Sequence, residues 1–390
     1  MFKKGFGKIG LDAFFCTIFS IVVSSILYFI IINTEILNPF TAAFKDFSFT
    51  DVYYSKLFQK SKGINDVIVI NIKQSDRLTI AQAIDKVAKQ NPKAIGLDIL
   101  FREQKHPYID SILKNTLQNT KNIVTAYFFE NDSIIKNHDY FSNDNEQLGY
   151  INVNLEEQDG VIRDFIGVKK SSKTAYSFAT QLALTAGSIK NDELLKKLED
   201  QLPINYIGDK SSFLTYDIEE ILENKPIPAL KNAIVLFGYV GTPTDNKFDI
   251  EDKHFTPLNA KIAGRALPDM YGIYIHANIV KMLTEDNFVK KIPNPITYFL
   301  AFLCCYFAIF FGLKIFKRSS LLFDLVIKIV QLLVSIILVY LALILLKFNI
   351  YIYITPILVL TLFGLEMIVF YVHLLSYLKK QFKWESHLLD

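Results

Sequence analysis

Three cysteines, Cys16, Cys304 and Cys305, are all the thiols in the chain, and each lies inside a long apolar run. The polar stretch between those runs therefore has no pair of thiols to cross-link and must hold together through a hydrophobic core. The patterns of common catalytic centres are also missing: there is no Gly-Lys-Ser/Thr phosphate loop, no His-Glu-x-x-His helix and no Gly-x-Ser-x-Gly elbow. Neither charge sign dominates, with 42 basic against 39 acidic residues and a net charge of +3. That balance excludes a strongly basic nucleic-acid surface, and no nucleic-acid partner is expected.

Apolar residues are plentiful instead, at 51% of 390. They gather in four runs, 11–32, 295–316, 321–346 and 351–377, each long enough to cross a hydrocarbon core of roughly 30 Å as a helix. The first run is read as a retained anchor rather than a cleaved signal, because its exit, "IINTEILNPF", lacks the small residues of a cleavage site. Phe15 before Cys16 likewise argues against a lipoprotein site. Basic residues flank the runs unevenly: Lys3, Lys4 and Lys8 before the first, Lys314, Lys317 and Arg318 after the second, and Lys379, Lys380 and Lys383 after the last. Only Lys347 lies in the opposite short loop. The positive-inside rule then places residues 1–10 and 378–390 in the cytoplasm and 33–294 beyond the membrane, in a multi-pass protein.

Within 33–294 the pattern from 66 to 129 alternates: "DVIVINI", "IAQAIDKVAKQ", "AIGLDILF", "YIDSILKNTLQNT", "NIVTAYFF". Short β-branched runs separated by segments with apolar residues three and four apart predict strand, helix, strand, helix, strand, hence an α/β domain with a mainly parallel sheet. "GYINVN" and "VIRDFIGVK" around the turn "EEQDG" suggest a hairpin appended to that sheet. Further on, the pattern predicts a helix over 175–186, a strand "INYI", a short helix over 217–222, a strand "AIVLFGYV" and a last helix over 275–283. Long loops are expected at 131–147 and 242–268, and a connecting helical stretch within 33–62.

Candidate chemistry is sparse. "GFGKIG", residues 5–10, spells a dinucleotide fingerprint but follows no strand and runs straight into a membrane span, so no cofactor is expected. Asp98 falls late in a buried-type strand, where open α/β sheets place ligands; capping of the next loop is the competing role. The loop 244–257 carries Asp245, Asp249, Glu251, Asp252 and His254, but without the spacing of a calcium loop it reads as a solvated acidic segment, and no metal is expected. His276 and Asn278 stand two apart on a helix and face different ways, whereas a zinc pair needs a spacing of four. One of them is expected to anchor a neighbouring loop. Lys328 and Glu366 are ionisable residues inside spans; Lys328 can snorkel to the surface and Glu366 can pair within the bundle or be neutral, with an ion path as the rival role.

"KAIGLDILF", "GYINVNLEEQDGVIR", "AIVLFGYVGTPTD", "TPLNA" and "MYGIYIHANIVKML" occur in an order that resembles the CHASE domain of the second type, an extracytoplasmic sensory domain of bacterial receptors. Gly96, Asp98, Asp159, Gly160, Arg163, Gly238, Asp245, Pro257, Gly272, His276, Ala277 and Asn278 carry the resemblance. The closing His-Ala-Asn element is its most specific part, and one span before the domain with three after it suits the family too. The resemblance implies signal reception outside the membrane and transmission to a cytoplasmic enzyme. Only "LKKQFKWESHLLD" follows Tyr377, too short for such an output domain. The expectation is therefore a non-enzymatic sensor subunit in the lipid bilayer that acts through a separate protein partner, with a homo-oligomer also possible. The alternative is a structural or assembly subunit of an envelope complex that reuses the sensory fold for docking.

Overall fold

The computed structural model describes residues 2–32, 49–131, 133–142, 146–153, 160–170, 173–223, 225–242, 252–259 and 267–382. The chain divides into two compact units, Phe47–Val289 and a second made of Met1–Asp46 with Lys290–Asp390.

The first unit is built on a seven-stranded sheet. Strand β1 (Ile64–Asn71) is second from one edge, between the edge strand β10 (Phe213–Asp217) and β11 (Ile234–Gly238); β2 (Ala94–Leu97), β3 (Ile123–Glu130) and β5 (Gln147–Tyr150) follow from β11 toward the other edge. All of these pairs are parallel. Only β4 (Ser133–Ile135) runs antiparallel, against the far half of β3.

Side-chain alternation sorts the strands into two cores. Ile68 and Ile70 of β1, Ile95 and Leu97 of β2, and Val235 and Phe237 of β11 face one layer, packed on α3 (Arg77–Ala88), α4 (Pro107–Asn119) and α7 (Ile218–Leu222). Val67, Val69, Ala94, Val124, Ala126 and Leu236 face the other, with α5 (Phe178–Thr185) and α8 (Gly272–Thr284). Both faces are covered, which is why these strands read as continuous apolar runs. Each fully buried Ile or Leu contributes about 1.5–3 kcal/mol, so the unit needs no cross-link. Local signals set the helix ends: the Asp76 side chain accepts from the Thr79 amide at 2.8 Å, Ser177 from Thr180 at 3.2 Å, and Asn91 turns left-handed (φ 56°) before Pro92.

The alternation from 66 to 129 is present as expected; four details of the chain differ. Asp98 lies just past the end of β2 rather than within it. "GYINVN" does not open a hairpin: its first residues belong to β5, and Gly149 approaches Phe178 so closely that a Cβ would meet the Phe178 Cα at 2.5 Å. "VIRDFIGVK" splits at Gly167 into β6 (Asp164–Ile166), which pairs with β9 (Gln201–Pro203), and β7 (Val168–Lys170), which pairs with β8 (Thr174–Tyr176). The "INYI" segment is irregular, the strand having formed one step earlier at β9. Of the expected connecting stretch, 49–57 is helical, as α2 (Phe49–Val52) and one π-helical turn, and 33–48 lies outside the described residues.

The second unit contains four helices long and apolar enough to cross a membrane: α1 (Phe2–Ile32), α9 (Asn294–Arg318), α10 (Ser320–Lys347) and α11 (Ile354–Phe382). Cys16, Cys305, Ile309, Leu313, Leu365, Ile368 and Tyr371 form their shared core. Large apolar side chains such as Phe29, Phe299, Ile336 and Tyr340 point outward, as helices solvated by lipid require. A short parallel pair, β14 (Lys290–Lys291) with β15 (Ile350–Tyr351), satisfies backbone groups beside the start of α9 and of α11.

Candidate ligand-binding site

The carboxyl ends of β1, β11 and β2 are framed by polar side chains. Asn71 closes β1, buried, and all four of its side-chain bonds are made. Its Oδ1 accepts from the amides of Val240 (3.0 Å) and Lys73 (3.1 Å), and its Nδ2 donates to the Asp217 carboxylate (3.2 Å) and the Gly241 carbonyl (3.1 Å). It thereby fixes the chain leaving β11. Next to it, the Asp98 amide still donates to the Phe237 carbonyl at 2.9 Å, so the ladder carries Asp98 to the sheet edge with its carboxyl beyond. The segment after Asp98 is tied down by buried Asp110, which accepts from Arg77 at 2.6 Å and from the amides of Lys105 and His106 at 2.7 and 3.0 Å. Burial alone would raise the Asp110 carboxyl, but Arg77 and those amides hold it below its usual range.

A two-residue ladder brings the other half of the site. β12 (Lys253–His254) pairs antiparallel with β13 (Met270–Tyr271), and the Gly272 amide, first in α8, donates to the Asp252 carbonyl at 3.1 Å. A Cβ on Gly272 would sit 3.5 Å from Asp252 Oδ1 and 3.6 Å from His254 Nε2, so both side chains converge on the opening turn of α8. His276 is one turn further along the same helix face. Its ring is 5% exposed, stands edge-on to Phe178 at 5.3 Å, and leaves Nδ1 without a hydrogen-bond partner among the described residues.

The electrostatics follow from this crowding. Burial, with the Asp252 carboxylate second, pushes Asp98 up to about 7. Burial, with His254 beside it, holds His276 down to about 4, and burial lowers His254 as well. Near neutral pH both imidazoles are uncharged while Asp98 is close to its titration point, so small changes in the site's contents move a proton on Asp98. Among the described residues no group of three or more His, Cys, Asp or Glu side chains is placed to share a metal ion.

The other candidates have different places. Asn278, fully buried, brackets the 207–208 backbone: its Oδ1 accepts from the amides of Ile207 (2.8 Å) and Gly208 (3.2 Å), and its Nδ2 donates to the carbonyls of Gly208 (2.9 Å) and Tyr274 (2.8 Å). Arg163 grips buried Asp51 with two bonds, at 3.0 and 2.7 Å, and so ties α2 to the segment that leads into β6. Asp159 and Asp245 lie outside the described residues. Lys328 and Glu366 are in the helical unit and bond to each other. Asp252 and His254, read from sequence as part of a solvated loop, belong instead to the cluster, and Asn71 drew no notice although an Asn closing a β-branched run is a signal of its kind.

The CHASE2 domain model matches residues 33–313, which takes in the whole α/β unit and most of α9. The chain belongs to the CHASE2 domain family. CHASE2 domains are extracytoplasmic sensory domains, and the match runs past the globular part into the first C-terminal span. No curated protein and no solved structure matches the chain. Several residues that carry the CHASE2 resemblance have a packing task here: Gly96 and Gly238 admit close neighbours, Asn278 ties a loop, and Arg163 makes a buried ion pair. Among the described residues that carry the resemblance, Asp98 and His276 have no side-chain hydrogen bond to the framework, which singles them out within the CHASE2 domain.

Proposed function

We propose that this CHASE2 protein is a non-enzymatic sensor subunit of a bacterial inner membrane, with both termini in the cytoplasm and the α/β unit in the periplasm. A small ligand enters at the carboxyl edge of the sheet and is read by Asp98, Asp252, His254 and His276. The observation that carries the reading is the convergence of these four groups at the opening turn of α8. Open α/β sheets bind ligands outside the carboxyl ends of their strands, and at this edge the His276 Nδ1 has no hydrogen-bond partner among the described residues.

Transmission follows the chain. Helix α8 begins at the site, and after it residues 285–293 lead into α9, the span with which the family match ends. A ligand that binds two settings of α8 unequally shifts their populations, and only that difference in affinity can reach the helices. The basic groups Lys314, Lys317, Arg318, Lys379 and Lys380 then form the face presented to a separate cytoplasmic partner.

Two measurements test the reading. Thermal-shift screening of the full-length protein in nanodiscs against small-molecule fractions should find stabilisation in the wild type that Asp98→Asn and His276→Gln abolish; stabilisation untouched by both substitutions would overturn the site. Affinity purification from native membranes should recover a cytoplasmic signalling protein whose binding falls when the five basic residues are neutralised. Recovery of envelope structural components alone would favour a docking subunit instead.

A further inference from the structure

Helix α10 is apolar except for a few polar side chains, and their positions are not scattered. Asp324, Lys328, Gln331 and Ser335 are spaced by four, three and four residues, and at about 100° per residue they fall within an arc of roughly 60° on one side of the helix. The facing position on α11 is Glu366. Lys328 bonds to Glu366, and Gln331 donates to the same Glu366 oxygen at 2.7 Å and to the Leu362 carbonyl at 3.2 Å. Along α11 the exposed positions Val359, Glu366, Phe370, His373 and Tyr377 continue this seam at intervals of three, four and seven.

The cluster is not inside the bundle. The Lys328 and Glu366 side chains are 64% and 45% exposed, on the side where the neighbouring exposed groups are Leu332, Ile336 and Phe370, residues suited to lipid. Nor does Lys328 reach back toward the start of α10, as a snorkelling lysine would; its amine is turned to Glu366, which lies well inside α11. An ammonium, a carboxylate and an amide in contact with acyl chains are costly, and charged groups within spans normally face protein or water. The second carboxylate oxygen of Glu366 makes no bond with any described residue, and only one of the three amine protons of Lys328 is used.

We infer that the α10–α11 seam is an interface in the membrane and that its occupant is a second copy of this chain. The charges decide between occupants. At its centre the seam sets the cation Lys328 on α10 beside the anion Glu366 on α11, so a two-fold axis through that point sets Lys328 of each copy against Glu366 of the other and closes a four-membered ring of alternating charge. A single-sign patch would call for a different partner of opposite sign; this one is complementary to itself. The same axis sets Gln331 and Ser335 of each α10 against α11 of the other copy, where interhelical hydrogen bonds replace contact with lipid. The inference does not depend on any ligand of the α/β unit.

The test uses full-length chains carrying two different affinity tags, co-expressed and extracted in a mild detergent. Wild-type copies should co-purify, and labelled protein in nanodiscs should bleach in two steps. Lys328→Glu leaves two anions and Glu366→Lys two cations at the seam's centre, so each variant expressed alone should lose co-purification by about tenfold, the size of one good interhelical polar contact. Expressed together, a Lys328→Glu copy and a Glu366→Lys copy should recover it, because their seams now attract. Misfolded chains cannot produce that recovery. Single-step bleaching of the wild type, undiminished co-purification by both variants alone, or failure of the mixed pair to recover would each overturn the inference. So would a stoichiometric membrane protein of another kind that is lost with the same two substitutions.

Discussion

Gly238, the last residue of β11, lies against Ile273 in the first turn of α8, and a Cβ added there would come within 2.8 Å of Ile273 Cγ1 and 3.0 Å of its Cβ. The obstruction is the branched root of a buried side chain, which cannot swing aside. Gly238→Ala must therefore lift the start of α8 off the sheet, and overpacking of this kind costs about 1–3 kcal/mol. Urea unfolding of the full-length protein should show a lower midpoint. Because the same turn carries Gly272 and His276, hydrogen exchange along α8 should rise more than along α3.

Arg163 and Asp51 form a second fixed point, between α2 and the segment leading into β6. Both side chains are largely withdrawn from solvent, at 13% and 6% exposure, so removing one leaves the other's charge without its partner. Arg163→Met should cost about 3–5 kcal/mol, and Arg163→Lys should recover only part of it, since an ammonium cannot reproduce the two-bond grip. The discriminating measurement is ligand or partner binding at a temperature where both variants remain folded: it should be unchanged, because this pair holds the scaffold. A selective loss of binding would reassign Arg163 to the site.

Much of the fold is visible in the sequence where pattern and pairing are both local. From 66 to 129, β-branched runs and helical periodicity alternate, each strand is covered on two faces, and the order of elements follows. Between 147 and 203 that legibility ends: Asp164–Ile166 finds its partner at Gln201–Pro203, and no periodicity in a three-residue strand announces a pairing so distant. The site divides the same way. Asp98 stands out as a carboxylate closing an apolar run, and His276 as the polar residue on a buried helix face. Asp252 and His254 do not, because they reach the site through a ladder of two residue pairs, too short to leave a pattern in a loop of mixed charge.

Asn278, like Asn71, is used fully by the framework, with its oxygen taking two amides and its nitrogen serving two carbonyls. Asn278→Asp keeps the shape and the acceptors but removes both donations and places a carboxylate at a position with no solvent exposure. Stability should fall by about 3 kcal/mol or more, with pH dependence that the wild type lacks, since protonation of the new acid relieves the burial. Asn278→Ala should cost less, about 1–3 kcal/mol, because it leaves amides unpaired without burying charge. Equal losses for the two variants would show that the donated bonds and the charge do not matter there.

The pH dependence of stability separates Asp98 from His276 because their shifts act in opposite directions. Asp98 is raised from an ordinary 3.8 to about 7, so between those values the folded state holds a proton that the unfolded chain releases, and the group takes stability away as pH rises. His276 is lowered from 6.5 to about 4, so the unfolded chain binds the extra proton, and the group takes stability away as pH falls through that window. Asp98→Asn should therefore raise the melting temperature at pH 8, by a few degrees at most for a half-exposed group, and leave it nearly unchanged at pH 4. His276→Gln should flatten the decline below pH 6.5 and have little influence on the pH slope above it. Thermal unfolding of the two variants and the wild type across pH 4–8 gives the comparison. A gain from Asp98→Asn at pH 8 accompanied by loss of ligand stabilisation is the pattern of a carboxyl kept at the strand ends for binding at the expense of the fold. A loss of stability at pH 8 would mean instead that the ionised Asp98 is held by the framework.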